Sequence, residues 1–350
     1  MLTYIIKNKS SSIFIIDEPD IYLHSDLQRQ LLGILKSLGP DIIIATHSTE
    51  LISEAELNDI LVINKSLQSA KRIKNPSQLQ DIFNVLGSNL NPILTQIAKS
   101  KRILFVEGKD FSIFSKLARK LKLDQVANRA DFAVVPVDGF NPQKLKDFKS
   151  GIESTVGSKI LSAVIFDRDY RSDYEVEGTL KELQKGNFFA HIHSCKELEN
   201  FLIIPNSIKT AIHNRIEDYY ERTNKRVLFE EDVNKLLLKV SDSFKNKVFA
   251  QLQSNRMKFE KMKVTSLDDS TITEQLLEEF DQQWSDLSER TRLIPGKEFL
   301  SHLNQYLQFN YSITLTNTNI INSILRDDFP SEMRLLLSKI NEFREAPTYN

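Results

Sequence analysis

Four short apolar runs in this chain end in acids or a histidine, and their spacing fits phosphate chemistry. Ile13-Phe14-Ile15-Ile16 runs into Asp17-Glu18. An apolar strand that ends in two carboxylates sets them at the carboxyl edge of a sheet, where open α/β sheets take their ligands. In an ATPase such an Asp supports Mg²⁺ and such a Glu polarises the attacking water. About 30 residues on, Ile42-Ile43-Ile44-Ala45-Thr46 leads to His47. The plain alternative is that Asp17 and Glu18 cap a loop after a core strand. Further along, Ile103-Leu104-Phe105-Val106 runs into Glu107-Gly108, and Ala163-Val164-Ile165-Phe166 into Asp167-Arg168-Asp169. Alternate residues of an extended segment point the same way, so Asp167 and Asp169 can share one ion. If the two strands are neighbours, Glu107 joins them. Three carboxylates with room for waters suit Mg²⁺, which prefers octahedral oxygen ligation.

The elements that must hold these groups follow from periodicity. Residues 13–16, 41–45 and 61–63 read as strands, the first two as buried and parallel, with an amphipathic helix over 25–38 between them. Residues 66–100 read as a connector containing helices. The pattern then restarts, with strands over 102–106, 132–137, 161–166 and 189–192 and helices over 110–122, 142–154 and 177–185. From about Ser207 the chain reads as mostly helical, interrupted near Tyr311 to Asn317. The expected organisation is an ATPase-type lobe over 1–75, a helical connector over 76–100, a parallel α/β catalytic domain over 101–205 and a helical region over 206–350.

Composition removes several classes. Among 350 residues, 46 Lys plus Arg oppose 47 Asp plus Glu, so no global basic footprint marks a nucleic-acid coat. Any polyanion site must be local. The single cysteine, Cys195, permits no internal disulfide and suits a reducing cytoplasm. No run approaches the ~18 apolar residues of a membrane span, and the first residues lack a cleavable leader pattern. The expectation is a cytoplasmic protein that uses no membrane.

A phosphate-wrapping loop needs G-x-x-x-x-G-K-[ST]. Gly-Lys occurs at 108–109 and 296–297 alone, and the residues five before each glycine are Ile103 and Thr291. Neither is a glycine. The chain is therefore expected to engage ATP only if a partner supplies that loop.

The pair formed by Asp17-Glu18 and His47 resembles the Walker B segment and switch histidine of ABC-type ATPases. Val106-Glu107-Gly108 with Asp167-Arg168-Asp169 resembles the Toprim domain, a parallel, Rossmann-like catalytic fold. A partial ABC lobe, then Toprim, then a helical region is the order found in the OLD (overcoming lysogenisation defect) nucleases. The resemblance implies that Glu107 is a general base or metal ligand and that Asp167 and Asp169 are metal ligands. Many Toprim sequences carry a further acid four residues after the glutamate. That position is Phe111 here, so Asp110 either substitutes as a ligand or caps the following helix. Lys196-Glu197-Leu198-Glu199 resembles the segment that adds carboxylates for a second metal, which implies Glu199 as ligand, and Glu197 less so. Pro295-Gly296-Lys297 resembles a lysine-bearing turn of the same proteins, which implies that Lys297 neutralises transition-state charge. Arg168 and Arg171 either grip a phosphate or pair with Asp169 and Asp173. His191 and His193 have no cysteine or carboxylate at zinc spacing and read as packing or substrate-side residues, not as metal ligands.

The resemblance implies an Mg²⁺- or Mn²⁺-dependent endonuclease for DNA or RNA, with a role in bacterial defence against phage. ABC lobes usually pair, so a homodimer or larger complex is expected, possibly with a separate ATPase chain. A topoisomerase or primase relative lacks support, because no zinc module or separate cleavage domain is legible. The other class is a non-catalytic sensor or scaffold.

Overall fold

A computed structural model describes residues 1–8, 13–20, 23, 25–38, 41–55, 59–64, 69–72, 92–108, 111–129, 131–137, 142–261 and 268–348. The chain divides into two compact bodies, one of residues 1–101 and 128–133, the other of residues 102–127 and 134–350. The fold is mixed α/β, with parallel strand pairs and a helical C-terminal region, as the sequence pattern implies.

The first body contains α1 (Leu2–Lys7), β1 (Ile13–Asp17), α2 (Ser25–Ser37), β2 (Asp41–Ala45), α3 (Thr49–Glu54), β3 (Leu61–Asn64), β4 (Ser69–Arg72) and α4 (Pro92–Ser100). β1 and β2 pair in parallel, from Ile13 opposite Asp41 to Asp17 opposite Ala45. Burial corrects one expectation. These strands are covered on one face only. Phe14, Ile16, Ile42 and Ile44 pack on Ile5, Leu31 and Leu35. Ile13, Ile15 and Ile43 point the other way and stay 57%, 78% and 56% exposed. A run of consecutive apolar residues looks like a buried strand, but the pleat sends alternate side chains to opposite faces. β3 pairs antiparallel with β4, whose Ser-Ala-Lys-Arg sequence gives no apolar signal and lies in the stretch expected to hold helices. The remainder of that connector, 73–91, lies outside the described residues.

The second body opens with β5 (Arg102–Glu107), α5 (Phe111–Lys120) and α6 (Asp124–Ala127), followed by β6 (Ala133–Val137) and α7 (Pro142–Val156). It continues with β7 (Leu161–Phe166), α8 (Asp173–Gln184), β8 (Phe189–Ile192) and a 3₁₀ turn at Leu198–Leu202. The strands form one sheet in the order β6-β5-β7-β8, with β5, β7 and β8 parallel. All six residues of β7 and the middle four of β5 are buried, as expected for strands covered on both faces. The register sets Val106 opposite Ile165, so Glu107 and Asp167 emerge just past the same rung.

Among the described residues, eight helices complete this body: α9 (Pro205–Thr223), α10 (Val233–Asp242), α11 (Lys245–Glu260), α12 (Asp269–Ser285), α13 (Leu287–Leu293), α14 (Gly296–Tyr311), α15 (Asn317–Ser323) and α16 (Ser331–Glu345). The expected break near 311–317 is the gap between α14 and α15. Among the described residues, no helix is long and apolar enough to cross a membrane.

α8 starts four residues before the apolar periodicity suggests. Ser172 and Glu175 form a reciprocal capping box, with Ser172 N–H donating to Glu175 Oε2 at 2.7 Å and Glu175 N–H to Ser172 Oγ at 3.4 Å. Ser172→Ala is expected to lower stability by about 1 kcal/mol, read by urea unfolding, and no loss would mean that the box does not hold this helix.

Candidate active site

Glu107 and Asp167 meet at the carboxyl edge of the β5-β7 pair. Glu107 Oε2 accepts the Asp167 N–H at 3.2 Å. The turn after Glu107 uses Gly108 at φ +54°, a left-handed conformation that suits glycine. Asp167 is 6% exposed, and its Oδ1 accepts the Leu198 N–H at 3.0 Å, which ties the 3₁₀ turn to the sheet edge. Asp169 also takes a left-handed φ of +50°, and its N–H donates to Lys196 O at 2.9 Å. Its Oδ2 accepts from Arg171 Nη1 at 3.2 Å.

The 3₁₀ turn brings in Glu199. This residue is 7% exposed, and its Oε2 has no hydrogen-bond partner among the described residues. Lys297 Nζ stands 3.7 Å from the other oxygen, Oε1. Lys297 opens α14, and its N–H donates to Glu197 Oε2 at 3.1 Å. Glu197 thus caps a helix and pairs with Lys196, while Glu199 is the buried acid that lacks a full set of partners. Gly296 makes the close approach possible. A Cβ there would meet Asn200 N, Asn200 Oδ1 and Glu199 Cβ, each at 3.0 Å.

The electrostatics match this crowding. Burial raises the Glu107 carboxyl above the usual carboxylate range, and the Asp169 charge adds to that. The Asp167 N–H, Arg171 and Lys297 oppose it. Burial likewise raises Glu199, with Lys297 pulling the other way. Two proton-hungry carboxyls beside one lysine are the kind of perturbed cluster found at functional sites.

The two arginines are committed to local structure. Arg168 donates to Asp173 Oδ1 at 2.5 Å and to Arg171 O at 3.0 Å. Arg171 donates to Asp169, Asp167 O and Arg168 O. Of the two alternatives open in the sequence, the pairing with Asp169 and Asp173 is the geometry found. Asp110 lies outside the described residues.

In the other body, Asp17 ends β1 and Glu18 follows at φ +44°, with its N–H donating to Ala45 O at 2.8 Å. His47 Nδ1 lies 2.6 Å from Glu18 Oε1, so the register of β1 on β2 joins the two residues that the sequence singled out. Glu18 Oε2 has no hydrogen-bond partner among the described residues. Thr46 Oγ1 donates to Asp20 Oδ1 at 2.6 Å and fixes the loop beside them.

Residues 1–53 match the family described as "AAA domain, putative AbiEii toxin, Type IV TA system". The chain is 28% identical over 176 residues to the Old nuclease of Escherichia phage P2, covering 47% of this chain and 29% of that protein. Over that stretch the chain is similar to an OLD nuclease. It spans less than a third of that relative's length, so the OLD relationship gives a nuclease-related family and leaves this chain's own activity open. The C-terminal region of the Xanthomonas campestris pv. campestris OLD protein is similar at 13% identity over 70% of this chain and 96% of that one. Its TM-score is 0.32.

The sequence did not find the carboxylate partner of His191 and His193. Glu332, 141 positions after His191, places Oε1 at 2.9 Å from His191 Nε2 and 3.5 Å from His193 Nδ1. No spacing rule reaches across that separation. The packing role holds for His193, whose ring lies against Phe114 and Phe201.

Proposed function

We propose that this chain carries a Toprim-type, Mg²⁺-dependent centre that hydrolyses phosphodiester bonds in nucleic acid. The observation that carries the reading is the meeting of Glu107 and Asp167 at one sheet edge, with the buried Glu199 and Lys297 brought beside them by the 3₁₀ turn and α14. The residues fit a hard divalent cation, since the donors are all carboxylate oxygens and Glu199 Oε2 is a buried oxygen in need of a partner. Asp167, Asp169 and Glu199 would hold the metal, with Glu107 as ligand or base, once their carboxylates close from the separations found here, which are wider than a ligand set needs. When bound, Mg²⁺ acidifies water and polarises the scissile phosphate.

The chain's own groups supply the rest. Glu107 spends Oε2 on the Asp167 N–H and keeps Oε1 for a proton from the attacking water. Its raised proton affinity suits that role. Lys297 offsets charge that develops on the phosphate oxygens. Arg171 holds Asp169 in place and leaves direct phosphate contact to Lys297. Asp17, Glu18 and His47 form the hydrolytic edge of an ATPase site, to which a partner would bring the phosphate loop. The wider reading is a cytoplasmic, self-associating nuclease of anti-phage defence under ATPase control.

Supercoiled plasmid and total tRNA, incubated with the protein in Mg²⁺, Mn²⁺ or EDTA without ATP, test the centre. Cutting in metal that EDTA abolishes is expected, and the polymer cut names the substrate. No cutting of either polymer in either metal overturns an autonomous nuclease and favours a sensor or scaffold subunit. Lys297→Ala is expected to lower kcat by about 10²-fold with little change in KM, since its charge acts on the transition state. An unchanged kcat would remove Lys297 from the chemistry.

A further inference from the structure

Within the second body, β8 and the first turn of α16 bring together His191, His193 and Glu332, whose ligand atoms all lie within 4.8 Å of one another. It is the one such set of three His, Cys or acidic residues found among the described residues. Nothing in the reading of the carboxylate centre uses it. His193 is 1% exposed, and neither ring nitrogen has a hydrogen-bond partner among the described residues. A buried imidazole whose Nε2 is unsatisfied and whose Nδ1 has only a long contact to a carboxylate costs free energy unless something engages it. Its Nδ1 faces Glu332 Oε1 at 3.5 Å. His191 Nε2 reaches the same oxygen at 2.9 Å.

Zn–N and Zn–O bonds of ~2.0–2.1 Å in a tetrahedron set ligand atoms roughly 3.3 Å apart. The two distances to Glu332 Oε1, 2.9 and 3.5 Å, bracket that value, and all three ligand atoms lie within 4.8 Å, so the two imidazoles would draw in around a bound ion. Supporting contacts are also present. The Ser194 N–H donates to Glu332 Oε1 at 3.0 Å and orients the carboxylate. The His193 backbone N–H donates to Phe166 O at 3.0 Å and anchors the residue to the end of β7.

A pocket of about 240 Å³, lined by His191, Ser331, Glu332, Leu335, Leu336 and Lys339, opens beside the cluster. It gives a cation a way in and leaves room for water or an anionic group as a further ligand, with Lys339 at its wall.

We propose that His191, His193 and Glu332 bind one divalent transition cation of the Zn²⁺ type, with an open coordination position facing the pocket. The donor set of two imidazoles and one carboxylate differs from the all-carboxylate centre and selects a softer ion than Mg²⁺. Bound there, the ion ties α16 to β8. It also tightens Ser194–Lys196, whose last carbonyl accepts the Asp169 N–H.

The test uses the full chain, stripped with chelator, then titrated with Co²⁺ and read by visible ligand-field absorption. Zn²⁺ is added afterwards as competitor. One equivalent of Co²⁺, displaced by Zn²⁺, is expected in the protein whose carboxylate centre is disabled by Asp167→Asn and Asp169→Asn together, and the same bands in the wild type. Glu332→Gln, which keeps an acceptor for Ser194 N–H, and His191→Ala should each weaken Co²⁺ by more than the ~10–100-fold typical of supporting residues. Circular dichroism reports whether each variant folds. No Co²⁺ bands in the wild type, or bands unchanged in both folded variants, overturns the site. Should neither variant fold, X-ray absorption of the Co²⁺-loaded wild type decides: two imidazole ligands support the site, and an all-oxygen shell refutes it.

Discussion

Asp167→Asn is expected to reduce metal-dependent cleavage by about 10³-fold or more, with the fold intact. The substitution removes one charge and little else. Asn keeps an Oδ1 that can accept the Leu198 N–H, and the Asp167 N–H that donates to Glu107 Oε2 belongs to the backbone. What is lost is a buried anion at a cation site, where metal stabilisation of transition-state charge is worth several kcal/mol and ~4 kcal/mol corresponds to 10³-fold. Asp169→Asn is the companion variant, because Asn tolerates the left-handed φ of +50° found there. Circular dichroism and melting should match wild type while plasmid or tRNA cleavage falls. Full cleavage by a folded Asp167→Asn protein would move the reading to a non-catalytic subunit.

Asn200→Ala is expected to destabilise the second body by roughly 3 kcal/mol and to impair cleavage without touching a catalytic group. Asn200 is 5% exposed, and its side chain makes three hydrogen bonds among the described residues. Its Nδ2 donates to Thr291 O at 2.7 Å and to Ile294 O at 2.8 Å. Its Oδ1 accepts the Glu197 N–H at 2.9 Å. Truncation strands buried backbone groups, each worth ~1–3 kcal/mol when left unpaired, and local water recovers part of that. At ~2–4 °C per kcal/mol for a domain of this size, the melting temperature should drop by roughly 6–12 °C. The same bonds lock the segment leading to Gly296 and Lys297 against the turn that carries Glu199, so kcat should fall more than KM rises. A shift under about 2 °C would mean that the segment is held by other contacts.

Local chemistry wrote much of this protein into its sequence. The runs Ile103–Val106 and Ala163–Phe166 were legible as strands because buried parallel strands are apolar throughout. The acids that follow were legible because strand ends in such sheets face ligands. Helices α5 and α7 and the break before α15 follow from periodicity and turn residues in the same way. The join of Glu18 to His47 also follows, once two adjacent strands are taken as parallel.

Tertiary structure decided what periodicity does not encode. One-sided cover left Ile13, Ile15 and Ile43 exposed, although their sequence resembles that of a buried strand. The polar strand Ser69–Arg72 is set by its pairing with β3. The assignment of Arg168 to Asp173 and Arg171 to Asp169, between alternatives that the sequence left open, came from side-chain direction. Glu332 meets His191 across 141 positions because α16 packs on β8, and the approach of Gly296 to Glu199 likewise joins distant segments. Sequence fixes propensity over a few residues. Which distant groups share a site is set by packing, where burial and the satisfaction of polar groups select one arrangement of the elements among many.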